Sequence, residues 1–180
     1  METQKNNPLH GITLARMVED LGFDLVDLNL GCPAKKVVKC NGGSGLLRDL
    51  PLIRQIFETV RAAVKIPFTV KFRAGWDERE IVCVELARLA ESCGLNAVAL
   101  HARTREQGYA GNARWEWIGA VKGAVSIPVI CNGDITTVEG AQTALEQSGA
   151  DGVMTIVKYS ESRDPALQST IQSLTGKFRA

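Results

Sequence analysis

Cys32 stands just past the apolar run Phe23 to Leu30, which Gly31 and Pro33 bring to a stop, and Lys35 and Lys36 follow at once. One side-chain amide, Asn29, accompanies the thiol. Beside Lys or Arg a thiol has a lowered pKa, and it can serve as a nucleophile when ionised or as a proton donor when protonated. Strand exits are where α/β enzymes gather their chemistry, and the lysines point to an anionic substrate. The next three apolar runs also end in polar groups. Phe68-Thr69-Val70-Lys71-Phe72-Arg73 offers Lys71 and Arg73, and Val98-Ala99-Leu100-His101-Ala102-Arg103 offers His101 and Arg103. Val129-Ile130-Cys131-Asn132-Gly133-Asp134 ends in Asn132, Gly133 and Asp134. Strand alternation puts Lys71 with Arg73, and His101 with Arg103, on one face, opposite Val70 and Phe72. Together these groups describe a cationic, hydrogen-bonding cup with one thiol. Lys71 suits negative charge on a ring oxygen, and His101 suits a carbonyl. Asn132-Gly133 suits the close approach of a polyol or phosphate beside a helix N-terminus. Taken singly, a strand-end Lys, a lone His or a lone Cys is more often structural than functional. Four successive strands ending this way raise the signal above any one of them.

Positioning such a cup requires parallel strands. Strand-like runs recur at 24–30, 67–73, 97–103, 128–132 and 151–157, mostly about 30 residues apart, as helical crossovers demand. Between them Ile53, Ile56, Phe57, Val60 and Val64 follow one helix face. Asp77 with Glu80, and Thr136 with Glu139, have capping-box spacing, while Gly94 and Gly149 suit helix C-termini. A fourth, shorter helix is expected at 114–124, and a helix at 14–21 feeds the first strand. Two internal echoes support a repeated βα unit: Val64-Lys65-Ile66-Pro67 with Val125-Ser126-Ile127-Pro128, and Ser92-Cys93-Gly94-Leu95-Asn96-Ala97-Val98 with Gln147-Ser148-Gly149-Ala150-Asp151-Gly152-Val153. No GxGxxG follows the first strand and no GxxxxGK[ST] occurs, which disfavours dinucleotide and P-loop folds. The expected fold is α/β, a partial TIM (β/α)8 barrel of about five parallel strands with crossover helices. A full barrel has eight strands and about 250 residues.

The chain has 180 residues, 45% hydrophobic and 23% charged, with a net charge of +1, so binding of a polyanion must rest on a local patch. No apolar run has the length of a membrane span, and residues 1–10 lack the apolar core of a signal peptide, which suggests a cytoplasmic protein. Five cysteines without a CxxC argue against a disulfide framework or structural zinc. Cys83, Cys93 and Cys131 lie in helix and strand patterns and read as core, and Cys40 has no evident role. With two histidines and no clustered carboxylates, no metal-ligand set is expected.

Two loops could touch a nucleic acid. Lys35, Lys36 and Lys39 lead into Cys40-Asn41-Gly42-Gly43-Ser44-Gly45, which reads equally as a phosphate nest or a mobile hinge. Arg103-Thr104-Arg105-Glu106-Gln107-Gly108-Tyr109 joins cations to an aromatic ring, as a nucleotide clamp or as an ordinary loop. Trp115 and Trp117 read as packing for the helix that follows.

These motifs, in this order, resemble the signature of the tRNA-dihydrouridine synthases. The carriers are Asp27-Leu28-Asn29-Leu30-Gly31-Cys32-Pro33 with Lys36-Val37 and the glycine-rich loop to Leu47, and Val70-Lys71-Phe72-Arg73 with Gly75-Trp76. His101-Ala102-Arg103-Thr104-Arg105-Glu106-Gln107 and Asn132-Gly133-Asp134-Ile135 complete the set, and the bacterial B-type branch is the most similar. The resemblance implies an FMN-bearing barrel, with NADPH as reductant, that converts uridines of tRNA to 5,6-dihydrouridine. It puts the proton donor on Cys32 and the hold on the uracil edge on Asn29. It puts the flavin ring against Lys71 and His101, and Arg73 near flavin or uracil. The ribityl–phosphate arm falls to Asn132, Gly133 and Asp134. Lys35, Lys36, Arg103 and Tyr109 would meet the RNA.

Against that pattern the chain is expected to be truncated at both ends. A partial FMN-binding barrel would span 1–157 and a divergent polar tail 158–180, with a further helix at 164–174. Open barrel edges would then favour self-association. Two other readings stay open: a non-catalytic fragment with residual RNA binding, and an FMN barrel that reduces a free pyrimidine.

Overall fold

The computed structural model describes residues 8–155. Residues 1–7, the strand end at 156–157, the tail at 158–180 and its helix at 164–174 lie outside the described residues. Among the described residues six helices and five strands follow one another: α1 Pro8–Asp20, β1 Val26–Leu30, α2 Lys35–Lys39, α3 Leu50–Ala63, β2 Phe68–Arg73, α4 Cys83–Ser92, β3 Ala97–His101, α5 Glu116–Lys122, β4 Val129–Asn132, α6 Val138–Ser148 and β5 Gly152–Met154. A 3-10 turn, Gly43–Arg48, sits between α2 and α3. The strands form one parallel sheet in the order β1-β2-β3-β4-β5. A doubly wound sheet reverses its order at a switch point. Here each strand pairs with its neighbour in sequence, as in a singly wound β/α barrel.

The core lies on the outer face of this sheet. Phe68, Val70 and Phe72 of β2, fully buried, pack with Ile53, Phe57 and Val60 of α3 and Leu86, Ala87 and Ala90 of α4. Phe57 meets Phe68 edge to face, ring centroids 6.1 Å apart. Truncating such a ring to Ala costs about 3–5 kcal/mol, the lost transfer energy plus the cavity. The alternate residues of each strand are therefore left for the inner face.

Both internal echoes have a hydrogen-bonding basis. The carboxylate of Glu19, in α1, accepts the amides of Lys65 (2.7 Å) and Ile66 (3.0 Å) ahead of β2. Glu91, in α4, accepts those of Ser126 (2.6 Å) and Ile127 (3.3 Å) ahead of β4. The second echo behaves likewise. Asn96 Oδ1 accepts the amide of Phe68 at 2.9 Å, and Asp151 Oδ2 accepts that of Val129 at 2.8 Å. Each is also held from the helix that leads into the capped strand, Asn96 by Arg61 of α3 and Asp151 by Lys122 of α5. The repeated motifs thus cap the starts of β2 and β4 in the same way, satisfying amides that a strand end would otherwise leave open.

Four local expectations are corrected. The third strand ends at His101, because the Arg103 amide turns back to the His101 carbonyl at 2.7 Å. Asp77 caps a turn, accepting from Arg79 and Glu80, ahead of α4. The cap of α6 is Thr137, one residue past Thr136, whose hydroxyl oxygen accepts the Gly140 amide. The glycine-rich segment is the 3-10 turn, packed inward through Gly43, Ser44, Leu46 and Leu47. The other helix signals hold: Gly149 adopts φ +64 at the end of α6, and Gly94 adopts φ +78 just past α4.

Candidate active site at the strand ends

The inner face carries the polar residues in levels set by register. Asn29 pairs with Lys71 across β1 and β2. Arg73 pairs with His101, and His101 with Asn132, across β2, β3 and β4. Above these levels opens a cavity of about 400 Å³. Its walls include Asn29, Cys32, Lys71, Arg73, His101, Arg103, Tyr109, Asn132, Gly133 and Asp134. A cavity of this size falls within the usual range for small-molecule and cofactor sites.

At the exit of β1, Asn29 Oδ1 accepts the Gly31 amide at 2.9 Å. An amide N–H can donate only to the oxygen, so this bond fixes the orientation of the carboxamide and leaves its NH2 as the donor end. Cys32 follows, half-buried. Its carbonyl accepts two bonds from Ser44, from the amide at 3.0 Å and from the hydroxyl at 2.9 Å. Lys35, Lys36 and Lys39 lie exposed on α2, which begins three residues past Cys32, and no carboxylate among the described residues pairs with them.

Arg73 is 1% exposed. Its guanidinium donates to three carbonyls: Gly31 (Nε, 3.1 Å), Thr104 (Nη1, 2.9 Å) and Gly108 (Nη1, 2.7 Å). It also lies 5.5 Å from the ring centroid of Tyr109, which is otherwise exposed. Burial holds Arg73 below the usual arginine value, although Tyr109 pulls the other way. Lys71, half-buried beside it, is likewise lowered, first by burial and then by the Arg73 charge, with Asp27 opposing.

His101 is buried, and its Nε2 has no hydrogen-bond partner. Burial, then the charges of Arg73, Lys71 and Arg103, push its pKa down to about 4. The imidazole is therefore neutral at pH 7, held by the fold with one ring nitrogen free. Asn132 donates to the Met154 carbonyl at 2.7 Å, which turns its Nδ2 toward β5. Gly133 has φ +116, and a Cβ there would meet Ala113 Cβ at 2.9 Å and His101 Cδ2 at 3.1 Å. Asp134 is also in the left-handed region, at φ +58. Burial would raise its pKa, but the Ala113 amide and the Arg103 guanidinium outweigh this and hold it below the usual aspartate value.

All the residues expected at the strand exits meet at this one cavity, while Lys35 and Lys36 stand outside its wall. Arg73 and Arg103 are tied into the protein more heavily than alternation suggests. Gly133 makes room for His101 and Ala113. Residue types alone did not single out Ser44, Ile135, Thr136 or Thr155 for the site. For Ser44 a signal was present: Leu46-Leu47 directly after the glycines marks a loop that turns inward. Cys83 and Cys131 are core, and burial raises each thiol to about 11. Trp115 reaches the site by donating to the Gly133 carbonyl at 3.0 Å. No cluster of three or more His, Cys, Asp or Glu suited to a metal occurs among the described residues, nor a helix long and apolar enough to cross a membrane.

The fold is shared with solved enzymes. A dihydrodipicolinate synthase from Agrobacterium tumefaciens superposes with a TM-score of 0.63 at 15% identity, over 92% of this chain and 54% of that one. An isomerase from Streptomyces coelicolor gives 0.54 at 21% identity, over 81% of this chain and 32% of that one. In sequence, a probable tRNA-dihydrouridine synthase from Rickettsia bellii is 56% identical over 140 residues, 78% of this chain and 43% of that protein. The tRNA-dihydrouridine synthase B of Vibrio vulnificus is 50% identical over 133 residues, 74% of this chain and 41% of that protein. The chain thus spans less than half the length of the curated relatives it matches. The family model for dihydrouridine synthase matches residues 4–178, so this chain, with its five-stranded β/α sheet and its Cys32 cavity, belongs to the dihydrouridine synthase family.

Proposed function

We propose that this chain serves the flavin-dependent reduction of uridine to 5,6-dihydrouridine in tRNA, with Cys32 as the proton donor. The observation that supports this best is the single cavity shared by Cys32, Asn29, Lys71 and the unpartnered Nε2 of His101. That donor set fits FMN. A buried imidazole nitrogen without a partner is costly unless a ligand supplies one, and Lys71 forms no ion pair among the described residues. Lys71 and His101 would face the flavin ring, and Asn132, Gly133 and Asp134 the ribityl–phosphate arm. When bound, the flavin supplies the hydride for C6 of the uracil and is recharged by NADPH.

The chain's own residues do the rest. Asn29 presents its NH2 donor to a uracil carbonyl, because its oxygen is already bonded to Gly31. The Cys32 thiol gives its proton to C5, where hydride addition at C6 leaves negative charge. Arg73 and Arg103 supply fixed, buried positive charge in the cavity wall. Tyr109 offers an exposed ring for stacking. The unpaired lysines of α2 favour an RNA backbone over a free base as the substrate's outer part.

The purified chain should take up FMN and show the absorbance of a bound flavin. A colourless protein that ignores added FMN would defeat the proposal. Cys32→Ala should keep the flavin and abolish dihydrouridine formation on unmodified tRNA; activity that survives removes the proton-donor role. Turnover of free uracil without RNA would show that the base alone is the substrate.

A further inference from the structure

We propose that Ser44 is a positioning residue for Cys32, acting through the Cys32 carbonyl; the proposal rests on the reading of Cys32 as proton donor. Ser44 is fully buried and lies twelve residues beyond the thiol. Its amide and its hydroxyl both donate to one acceptor, the Cys32 carbonyl, at 3.0 and 2.9 Å. A hydroxyl in a buried turn that bonded only its own segment would be ordinary packing. This one reaches across to the residue that carries the chemistry.

The neighbouring residue makes the approach possible. Gly43 adopts φ +53, and a Cβ on it would lie 2.7 Å from the Cys32 carbonyl oxygen and 2.9 Å from Cys32 Cβ. Only glycine lets the turn sit against the cysteine this closely. The preceding carbonyl, that of Gly31, is held by Arg73 Nε at 3.1 Å. The preceding amide is held by Asn29 Oδ1. The backbone at the strand exit is thus pinned by three side chains. Of these, Ser44 is the one that bonds a backbone atom of Cys32 itself. Proton delivery depends on placing the donor within a few tenths of an ångström, and a half-buried thiol on an irregular segment needs such support.

Ser44→Ala removes the hydroxyl bond and keeps the amide bond. With flavin-loaded protein on unmodified tRNA, kcat should fall about tenfold, the effect of one lost buried hydrogen bond on placement, while KM for the tRNA and flavin content stay at parent values. In parallel, iodoacetamide labelling read by peptide mass spectrometry should show Cys32 reacting at least threefold faster. Cys40, exposed at the end of α2, serves as the internal control and should not change. A thiol that is easier to reach yet works worse distinguishes lost placement from lost stability. Gly43→Ala, which pushes on the same carbonyl, should raise Cys32 labelling as well. The proposal is overturned if Ser44→Ala lowers only the melting temperature, with kcat and Cys32 labelling at parent values. If the parent chain takes up no flavin, the functional reading fails, and the labelling ratio alone decides the role of Ser44.

Discussion

Arg103 and Asp134 close a two-point ion pair across the exits of β3 and β4, Nη1 to Oδ1 at 2.7 Å and Nη2 to Oδ2 at 2.9 Å. The arginine side chain is 6% exposed and the aspartate 38%, so the pair is shielded from water on one side only. Arg103 Nη2 also donates to the Gly111 carbonyl, and Asp134 accepts the Ala113 amide at 2.6 Å. One salt bridge therefore holds the β4 exit and the loop ahead of α5 in one piece.

Asp134→Ala should cost about 2 kcal/mol in urea unfolding. It leaves a buried guanidinium without its counter-charge, and the partial exposure of Asp134 keeps the figure below that of a fully buried pair. The pH dependence has a definite sign. The folded-state pKa of Asp134 lies below its ordinary value of 3.8. The pair therefore contributes fully above pH 3.8, and the contribution is lost as pH falls through the folded value. Parent and variant curves should converge in that acid window.

His101 should titrate near pH 4 in an NMR pH series, well below its ordinary 6.5. An unfolded chain takes up this proton below 6.5 and the folded chain does not until about 4. Stability should therefore decline as pH drops through that interval and be unaffected above it. His101→Gln should flatten the decline. A midpoint near 6.5 in the folded protein would contradict the burial argument.

Arg73→Lys keeps the charge and loses the fork. An ammonium on a flexible stem cannot reproduce planar donation to the Gly31, Thr104 and Gly108 carbonyls. The expected loss is about 2–3 kcal/mol. Faster proteolytic cleavage near Tyr109 is expected too, because that loop is tied to the core through Arg73. Urea unfolding measures the first effect, and limited proteolysis with mass spectrometry the second.

Replacing Lys35, Lys36 and Lys39 with Glu should weaken tRNA binding. The slope of log affinity against log salt should fall by roughly 1 for each phosphate that is no longer neutralised. These side chains are exposed and without ion pairs among the described residues, so the melting temperature should stay unchanged. Fluorescence anisotropy over a salt series gives the affinity and its slope. An unchanged slope would place the RNA on another face.

Much of the site was legible in sequence because a strand's side chains alternate strictly. Lys71 with Arg73, and Val70 with Phe72, could be assigned to opposite faces before any strand was paired, and the structure agrees. The echo around Ile66-Pro67 and Ile127-Pro128 likewise announced a repeated unit. Its cause, a helix-borne glutamate capping each strand start, involves partners 46 and 35 residues apart that no local pattern connects. Local signals also misplaced the caps. Asp77 and Thr136 have suitable neighbours, but the chain's route decides which turn becomes the helix start.

By itself the sequence determined the βα alternation, the outer core and the set of polar groups at the strand exits, since these follow from periodicity and residue type. Tertiary structure alone decided how those groups are used. It neutralised His101 by burial, tied Arg103 to Asp134 and Arg73 to three carbonyls, and turned the glycine-rich segment inward until Ser44 met Cys32. Each outcome depends on desolvation or on a hydrogen bond between distant segments, and both exist only once the chain has closed on itself.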